Sequence, residues 1–598
     1  MARRSRRVPA NPGGVAEANP KGVAAPRRAP VVAARTEPRD APLAFAINVE
    51  AVLWVALIGF ALSLRFVNLN ELPFSVNESA RAFNAWLVSH GSTPDGWSGD
   101  AASALTAHLF RIFGDSETFA RVPPAIFGSA LVVSFWFGRR YFGRGGVLLA
   151  ASFICFSPLA VNSSRTAFSF AFGGLLSMVM VLSLLAYLEK PRPWPGVILS
   201  LALGLALGSD PIAVSTAMAL VAFVAWEATW RRGGPVESAV SSFRQTAAHW
   251  QPAAIALALT LVLALVQFGT DIDRLSLPGV RQWVAMFDLP RQSLPWHYHL
   301  DLLAGYELPL LISGGAGYLL FLYRWVRGSA QLSLVQRLLV AWATVAILVV
   351  AFATRRDADQ AVLLLLPLSL IAADVIEETA SRVDWGLLKR WWPAGALALC
   401  LLAYALLQAS RWAHDASKVG TEERITLVLA LALAGASLAT VMFLRGRNGL
   451  AVVLPVGAVL ALPFLLHSCI SLGFGHGAEF AVPLRFTQRD ELFADTVARE
   501  ADQRGARVAI GHPLRDALGW QLRDSLTLAE PPPSGSLLVG PAGDEPPAGF
   551  APLSGTWLVA EGWVPRDIDL LGAWRWLAER EPYGNLSTVE TQILVPTQ

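Results

Sequence analysis

The 598-residue chain has only three cysteines, Cys155, Cys400 and Cys469, and each falls inside an apolar run. A thiol in such a setting behaves as a small buried hydrophobe, so no disulfide framework or cysteine-ligated metal cluster is expected. Charge is scarce too: 16% of residues are charged and the net charge is +3. No overall field points to nucleic acid as a partner. What the chain has in excess is apolar, with 54% hydrophobic residues, beyond the range of ordinary soluble proteins.

That excess is organised in runs. Taking ~20 mostly apolar residues as a span, with ~17 tolerated, runs occur at 45–66, 121–138, 145–161, 168–188, 194–209, 211–229, 252–270, 302–323, 335–353, 360–376, 391–409, 424–444 and 449–472. The fold class read from them is an all-α multi-pass membrane bundle of about thirteen transmembrane helices. Residues 1–42 are rich in Arg, Pro, Ala and Gly and too poor in large apolar side chains to offset the entropy of ordering, so a disordered basic tail is expected there. The first apolar run begins near Leu43 and continues through a full span, as a retained anchor does. Domain limits follow at 1–42 for the tail, 43–477 for the membrane domain and 478–598 for a soluble domain.

Orientation comes from the Lys/Arg bias of short connections. With the tail inside, Arg139, Arg140, Arg144, Lys190, Arg192, Arg231, Arg232, Arg324, Arg327, Lys389, Arg390, Arg445 and Arg447 all fall inside as well. An odd number of spans then places the C-terminal domain outside, together with long loops at about 67–120, 271–301 and 410–423. The plasma (inner) membrane is the expected location. Within the first loop, 81–88 and 105–110 read as short amphipathic helices at the interface. After 478 the pattern changes to a capping box at Thr487–Asp490, a helix to Arg504, a helical 514–522 and strand-like 508–510, 537–539, 557–559 and 593–595. This is a small extracytoplasmic α/β domain, expected to be a noncatalytic lid or acceptor-docking module, without a Gly-rich phosphate loop or a Ser/His/Asp pattern.

Three phrases stand out: Leu72-Pro73-Phe74-Ser75-Val76-Asn77-Glu78-Ser79-Ala80-Arg81 after the first span, Phe113-Gly114-Asp115-Ser116-Glu117-Thr118-Phe119-Ala120-Arg121-Val122-Pro123 entering the second, and Ser157-Pro158 through Ser164-Arg165 closing the third. In their order and placement they resemble the GT-C glycosyltransferase superfamily, in particular the family 39-like membrane enzymes that use polyprenyl-phosphate sugars. Pro295-Trp296-His297-Tyr298-His299, Tyr306-Glu307-Leu308-Pro309 and Trp520-Gln521-Leu522-Arg523-Asp524 extend the likeness over most of the chain from about residue 50. The resemblance implies hexosyl transfer from a polyprenyl-phosphate-linked sugar donor to an acceptor hydroxyl at the outer face, with membrane lipid as the other partner. It implies no certain cofactor, since members of the superfamily differ in their use of a divalent cation.

The same resemblance assigns roles. Glu78 and Asn77 stand at the family's acidic pair, where a carboxylate takes the acceptor's proton, and Asn77 replaces the family's Asp with an amide that accepts no proton at neutral pH. Two expectations therefore stand side by side: a transferase with a substitute base, for which Glu78, Asp95 and Asp100 are the choices, and a scaffold that has lost catalysis. Arg355 and Arg356, two outside arginines that run against the positive-inside trend, are expected to hold the donor phosphate. Arg165, Glu117, Arg121 and Glu307 complete the expected substrate-binding set, although Glu117 and Arg121 also have the spacing of an i,i+4 ion pair. His297 and His299 flank one residue near Asp301, a pattern read as interfacial packing rather than a metal site. A transporter or flippase is the other class considered, and the near absence of ionisable groups within the spans argues against it.

The topology makes one testable statement. Ser5→Cys and Ser534→Cys should label from opposite sides of the membrane, and labelling from one side would mean that the span count is off by one.

Overall fold

The computed structural model describes residues 49–597, apart from 95–96, 169, 232–233, 272–274, 289–293, 295, 328–331, 415–420, 476–478, 483, 488–489, 512–513, 528–534, 554 and 566–569. Asp95 and the central residues of the expected 487–490 capping box lie outside the described residues, as does the tail.

Among the described residues, each of the thirteen apolar runs is helical over most of its length. Among the described residues, nine helical segments are long and apolar enough to cross a membrane. One of them, Glu422–Phe474, holds two helices, Thr421–Arg445 and Leu450–Phe474, joined by a turn at Gly446–Gly449. Two further spans are bent pairs, Arg144–Phe156 with Pro158–Arg165 at 58° and Tyr298–Tyr306 with Leu308–Val326 at 116°. The thirteenth run is the 15-residue helix Pro193–Leu207. The chain is a multi-pass membrane protein.

Both bends have local causes. Pro158 sits at the first position of its helix, where a ring without an N–H is tolerated, and Ser157 caps that helix by accepting from the Ala160 amide at 3.0 Å. Pro309 likewise lies in the first turn after the second bend, which is centred on Glu307. The two breaks meet: the Glu307 carboxylate, 1% exposed, accepts from the Ser157 hydroxyl and from the Leu159 amide at 3.1 Å. An amide freed by a helix break in apolar surroundings is thereby satisfied.

The first loop and the C-terminal segment fold as one body. Helices Val76–Ser89 and Ala101–Phe113 turn Phe83, Leu87, Val88, Ala104 and Phe110 into a core shared with Phe486, Phe493, Val497, Leu518, Trp520 and Val539. The sheet runs β1 Arg485–Phe486, β2 Val508–Ile510, β3 Leu537–Pro541, β4 Phe550–Pro552, β5 Trp557–Gly562 and β6 Ser587–Pro596, in the order β1-β5-β6-β3-β2, with β4 on β6. Among the named strands, β2 and β3 pair in parallel and the other pairs are antiparallel. Ser75 bridges Arg485, and the Phe486 amide donates to Phe74 O at 3.1 Å, so the first loop extends the edge of this sheet.

The amphipathic helices of the first loop put Phe83, Leu87, Val88 and Phe110 into the core shared with the C-terminal domain and leave Ile112 and Phe113 exposed, so loop and domain are joined through one core. The expected helix at 514–522 is one turn, Arg515–Leu518, followed by turns that leave Trp520 stacked on Phe110 and close to Phe74, with centroids 5.5 and 5.8 Å away.

Trp520 is 2% exposed at the centre of this junction. Trp520→Ala should cost about 3–5 kcal/mol, the usual loss for truncating a buried aromatic. Thermal unfolding in detergent measures it, and a midpoint equal to that of the parent would show that the junction is not a packed core.

Candidate active site

Ser75 and Glu78 form a reciprocal cap: Ser75 Oγ accepts from the Glu78 amide at 3.2 Å and Glu78 Oε2 accepts from the Ser75 amide at 2.9 Å. This starts the 76–89 helix and turns Glu78 inward, where it is 2% exposed, while Asn77 beside it is exposed. Neighbours on a helix point about 100° apart. Glu78 also accepts from Arg121 Nε at 3.1 Å and Nη2 at 3.5 Å, and from the Ala167 amide at 3.1 Å.

Arg121 gives its remaining donors to Leu69 O, Leu72 O and Pro73 O at 2.8–3.4 Å, so all five N–H groups have acceptors. Arg165 holds the same turn from the other side, donating to Leu64 O, Val67 O and Asn68 O at 2.8–3.0 Å, with its guanidinium 4.1 Å from the Phe474 ring. The structure thus brings Glu78, Arg121 and Arg165 into one small pocket, together with Arg485 from the C-terminal domain. Glu117 opens the Glu117–Ser134 helix, half-buried, under its cap Ser116. Glu307 lies apart from these residues, at the junction of the two bent spans.

A second cluster adjoins the first, since Arg81 follows Glu78 by three residues and Asp359 lies within Coulombic reach of both. Arg81, one turn after Asn77 and on the same face, stands 3.5 Å from the buried Asp100 carboxylate, with its guanidinium 4.6 Å from the Phe168 ring. Across from it runs the segment before the Val362–Ser381 helix, fixed by Thr354 on Met286 O and Asp288 O and by Arg356 on Leu294 O. Arg356 is buried and Arg355 exposed, so the arginine pair divides between two directions. Asp357 lies within Coulombic reach of Arg355 and Arg81, and Asp359 within reach of Asp357, Arg81, Glu78 and Asp210. Burial pushes the Asp357 carboxyl above the usual carboxylate range, and Arg355 and Arg81 pull it back.

His297 pairs with Asp301 at 2.6 Å, whereas His299 is buried with Nε2 3.1 Å from Asp357 O, so the two rings serve different partners. Among the described residues no three His, Cys, Asp or Glu side chains come together to hold a metal ion. The sequence reading missed Asp357, Asp359 and Arg485. Asp357 and Asp359 follow Arg355-Arg356 directly in an outer loop, which was a usable signal; Arg485 carried none. The Ser75-x-x-Glu78 spacing of the cap was also there to be read.

The buried Glu78–Arg121 pair makes a prediction. Arg121→Gln should cost about 3–5 kcal/mol, because it leaves a buried carboxylate without its counter-charge. Glu78→Gln with Arg121→Gln should cost less than the sum of the two single changes in thermal unfolding; additive costs would mean that the two side chains do not act as a pair.

Compared with known proteins, residues 101–264 match the family model for dolichyl-phosphate-mannose-protein mannosyltransferases. Among solved structures, ArnT from Cupriavidus metallidurans bound to undecaprenyl phosphate is 16% identical with a TM-score of 0.52, over 83% of this chain and 94% of that one. The apo state of the same protein gives 17% and 0.51 over the same shares. The archaeal oligosaccharyltransferase AglB from Archaeoglobus fulgidus, in complex with an inhibitory peptide and a dolichol-phosphate, gives 12% and 0.43 over 80% of this chain and 63% of that one. No curated protein sequence matches the chain.

Proposed function

For a chain with the GT-C fold, we propose hexosyl transfer from a polyprenyl-phosphate donor to an acceptor hydroxyl, carried out on the extracytoplasmic face between Arg81 and the 355–359 segment. The observation that supports this reading most is the set of charged groups gathered there. Arg81 and Arg355 supply two guanidinium groups for one phosphate, and the partly accessible carboxylates of Asp357 and Asp359 stand within Coulombic reach of Arg81. The matched mannosyltransferase model points to the same class of chemistry.

The step is a displacement at the anomeric carbon. The acceptor oxygen bonds to that carbon as its proton passes to a carboxylate, and the bond to the phosphate oxygen breaks, leaving polyprenyl phosphate with the electron pair and the arginines to meet its charge. Asp359 is the proposed base, with Asp357 beside it; Asn77, on the Arg81 face, orients the acceptor by hydrogen bonds. Glu78, with four hydrogen bonds and almost no exposure, acts in this reading as the brace that sets the helix and not as the base. Glu307, Arg121 and Arg165 hold backbone in place, and Glu117 starts the helix that carries Arg121.

Proteoliposomes with a labelled polyprenyl-phosphate hexose test the reading. Arg81→Gln with Arg355→Gln should weaken donor binding, and Asp359→Asn should abolish transfer while binding persists. Asn77→Asp should raise the rate roughly ten-fold, near the low end of what a positioned base supplies. Donor binding with no transfer by any of these proteins would identify a scaffold that has lost catalysis, and full activity of an Asp357→Asn, Asp359→Asn double variant would place the base elsewhere.

A further inference from the structure

The spans Pro211–Trp230, Leu308–Val326 and Leu334–Phe352 leave an apolar groove of about 560 Å³ between them. Sites that enclose a small ligand have volumes of ~300–1,000 Å³. Phe223, Trp226, Leu322, Trp325, Ala341 and Val345 line the groove, and the one hydroxyl of its wall, that of Thr344, already donates to Val340 O at 2.7 Å. A wall so poor in polar groups cannot compensate the desolvation of a sugar or a peptide backbone, whereas a hydrocarbon chain loses nothing by entering it.

The groove is confined to one end of its spans. Trp226 lies one turn before the end of its helix, Val326 is the last residue of its own, and Val345 stands eleven residues beyond Leu334, the start of the third. At about 1.5 Å per residue it reaches ~16 Å from the helix ends, half of a hydrocarbon core of ~30 Å. It therefore opens to a single leaflet. The opposite end of the 211–230 helix is capped by Asp210, which lies within Coulombic reach of Asp359. The groove is thus at the end away from the Arg81 and Asp359 cluster, the end that the Lys/Arg bias puts inside.

Arginines stand where the groove meets the headgroups. Arg231 and Arg327 are the C-caps of two of its three helices, and both are exposed. The buried Glu227 carboxylate accepts from Arg337 Nε and Nη2 at 2.7 and 2.9 Å, so Arg231, 3.8 Å from it, shares a charge that another guanidinium already binds. The carboxylates of the 362–381 helix are engaged elsewhere: Glu378 with Arg324 and Arg382 at 3.7 and 2.5 Å, Asp374 with Gln336, and Glu377 with the Gly146 amide. Glu237 is exposed on the 235–245 helix, which packs on the 170–189, 211–230 and 247–265 spans. Trp226 has Trp230 and Trp325 around it, with centroids 5.1 and 6.1 Å away, and such amphipathic rings settle at headgroup level.

We infer that the groove holds one acyl chain of an anionic phospholipid from the cytoplasmic leaflet, whose phosphate is met by Arg231 and Arg327. The lipid bridges three spans at the ends remote from the Arg81 cluster. The inference is independent of the proposed transferase reaction, which uses neither these residues nor this leaflet.

Native mass spectrometry of the full-length protein in detergent, titrated with dioleoyl phosphatidylglycerol or dioleoyl phosphatidylcholine, tests it. The parent should bind one phosphatidylglycerol more tightly than it binds phosphatidylcholine. Arg231→Gln with Arg327→Gln should weaken phosphatidylglycerol binding roughly ten-fold or more, the scale of two surface arginines facing anionic lipid, and leave phosphatidylcholine binding unchanged. Ala341→Phe sets a ring in the groove and should remove the site for both lipids, its thermal midpoint in lipid-free detergent showing that it folds. Should it not fold, the arginine variant, altered only at exposed positions, decides. Equal affinity of the parent for the two lipids, or parent-like phosphatidylglycerol binding by either folded variant, would overturn the assignment. Displacement of phosphatidylglycerol by equimolar undecaprenyl phosphate would overturn it too, by giving the groove to a polyprenyl tail.

Discussion

A helix interrupted inside an apolar bundle leaves backbone amides that must find acceptors, because no water is at hand to take them. In this chain a single carboxylate, Glu307, meets that demand for the break at Ser157, and it lies at a break of its own. Two bent spans are thus locked at one point. The direction in which Pro158–Arg165 leaves that point puts the Arg165 guanidinium on the turn that follows the first span, and that turn delivers the chain to Ser75 and Glu78. The position of the 76–89 helix depends on this sequence of contacts.

The membrane part was largely legible from the sequence because apolar run length is a direct readout of span length: all thirteen runs are helices. The strands were legible for a related reason, since Val508–Ile510, Leu537–Pro541, Trp557–Gly562 and the latter part of Ser587–Pro596 carry short β-rich apolar cores between turn residues. What hydropathy could not report was partnership. The amphipathic stretches of the first loop have a moderate apolar face, and such a face suits a membrane interface and a protein core equally well. Only contacts spanning more than 400 residues, such as Ser79 Oγ to Ala517 O at a separation of 438, decide between them.

The site was legible as residues and not as geometry. Glu78, Arg121 and Arg165 were named as substrate-binding or catalytic groups from three separate phrases, and the structure does gather them, but with their hydrogen-bonding capacity directed mainly at each other and at backbone carbonyls. A motif records that a residue is required; it does not distinguish a group that touches substrate from one that holds the backbone on which such groups are mounted. The resolving information is angular. On the 76–89 helix a step of one residue, from Asn77 to Glu78, passes from an open face to a sealed one, and a step of four, from Asn77 to Arg81, stays on the same face.

The junction between the first loop and the C-terminal domain also has a consequence for how the protein is made. Phe74 and Phe110 are synthesised some 400 residues before Trp520, the side chain that packs on both. At the usual ~5–20 residues per second of elongation, tens of seconds separate the two events. During that interval the loop lacks the C-terminal side chains that complete its core. Completion of the site is for the same reason a late event in biogenesis, reached only when the end of the chain arrives.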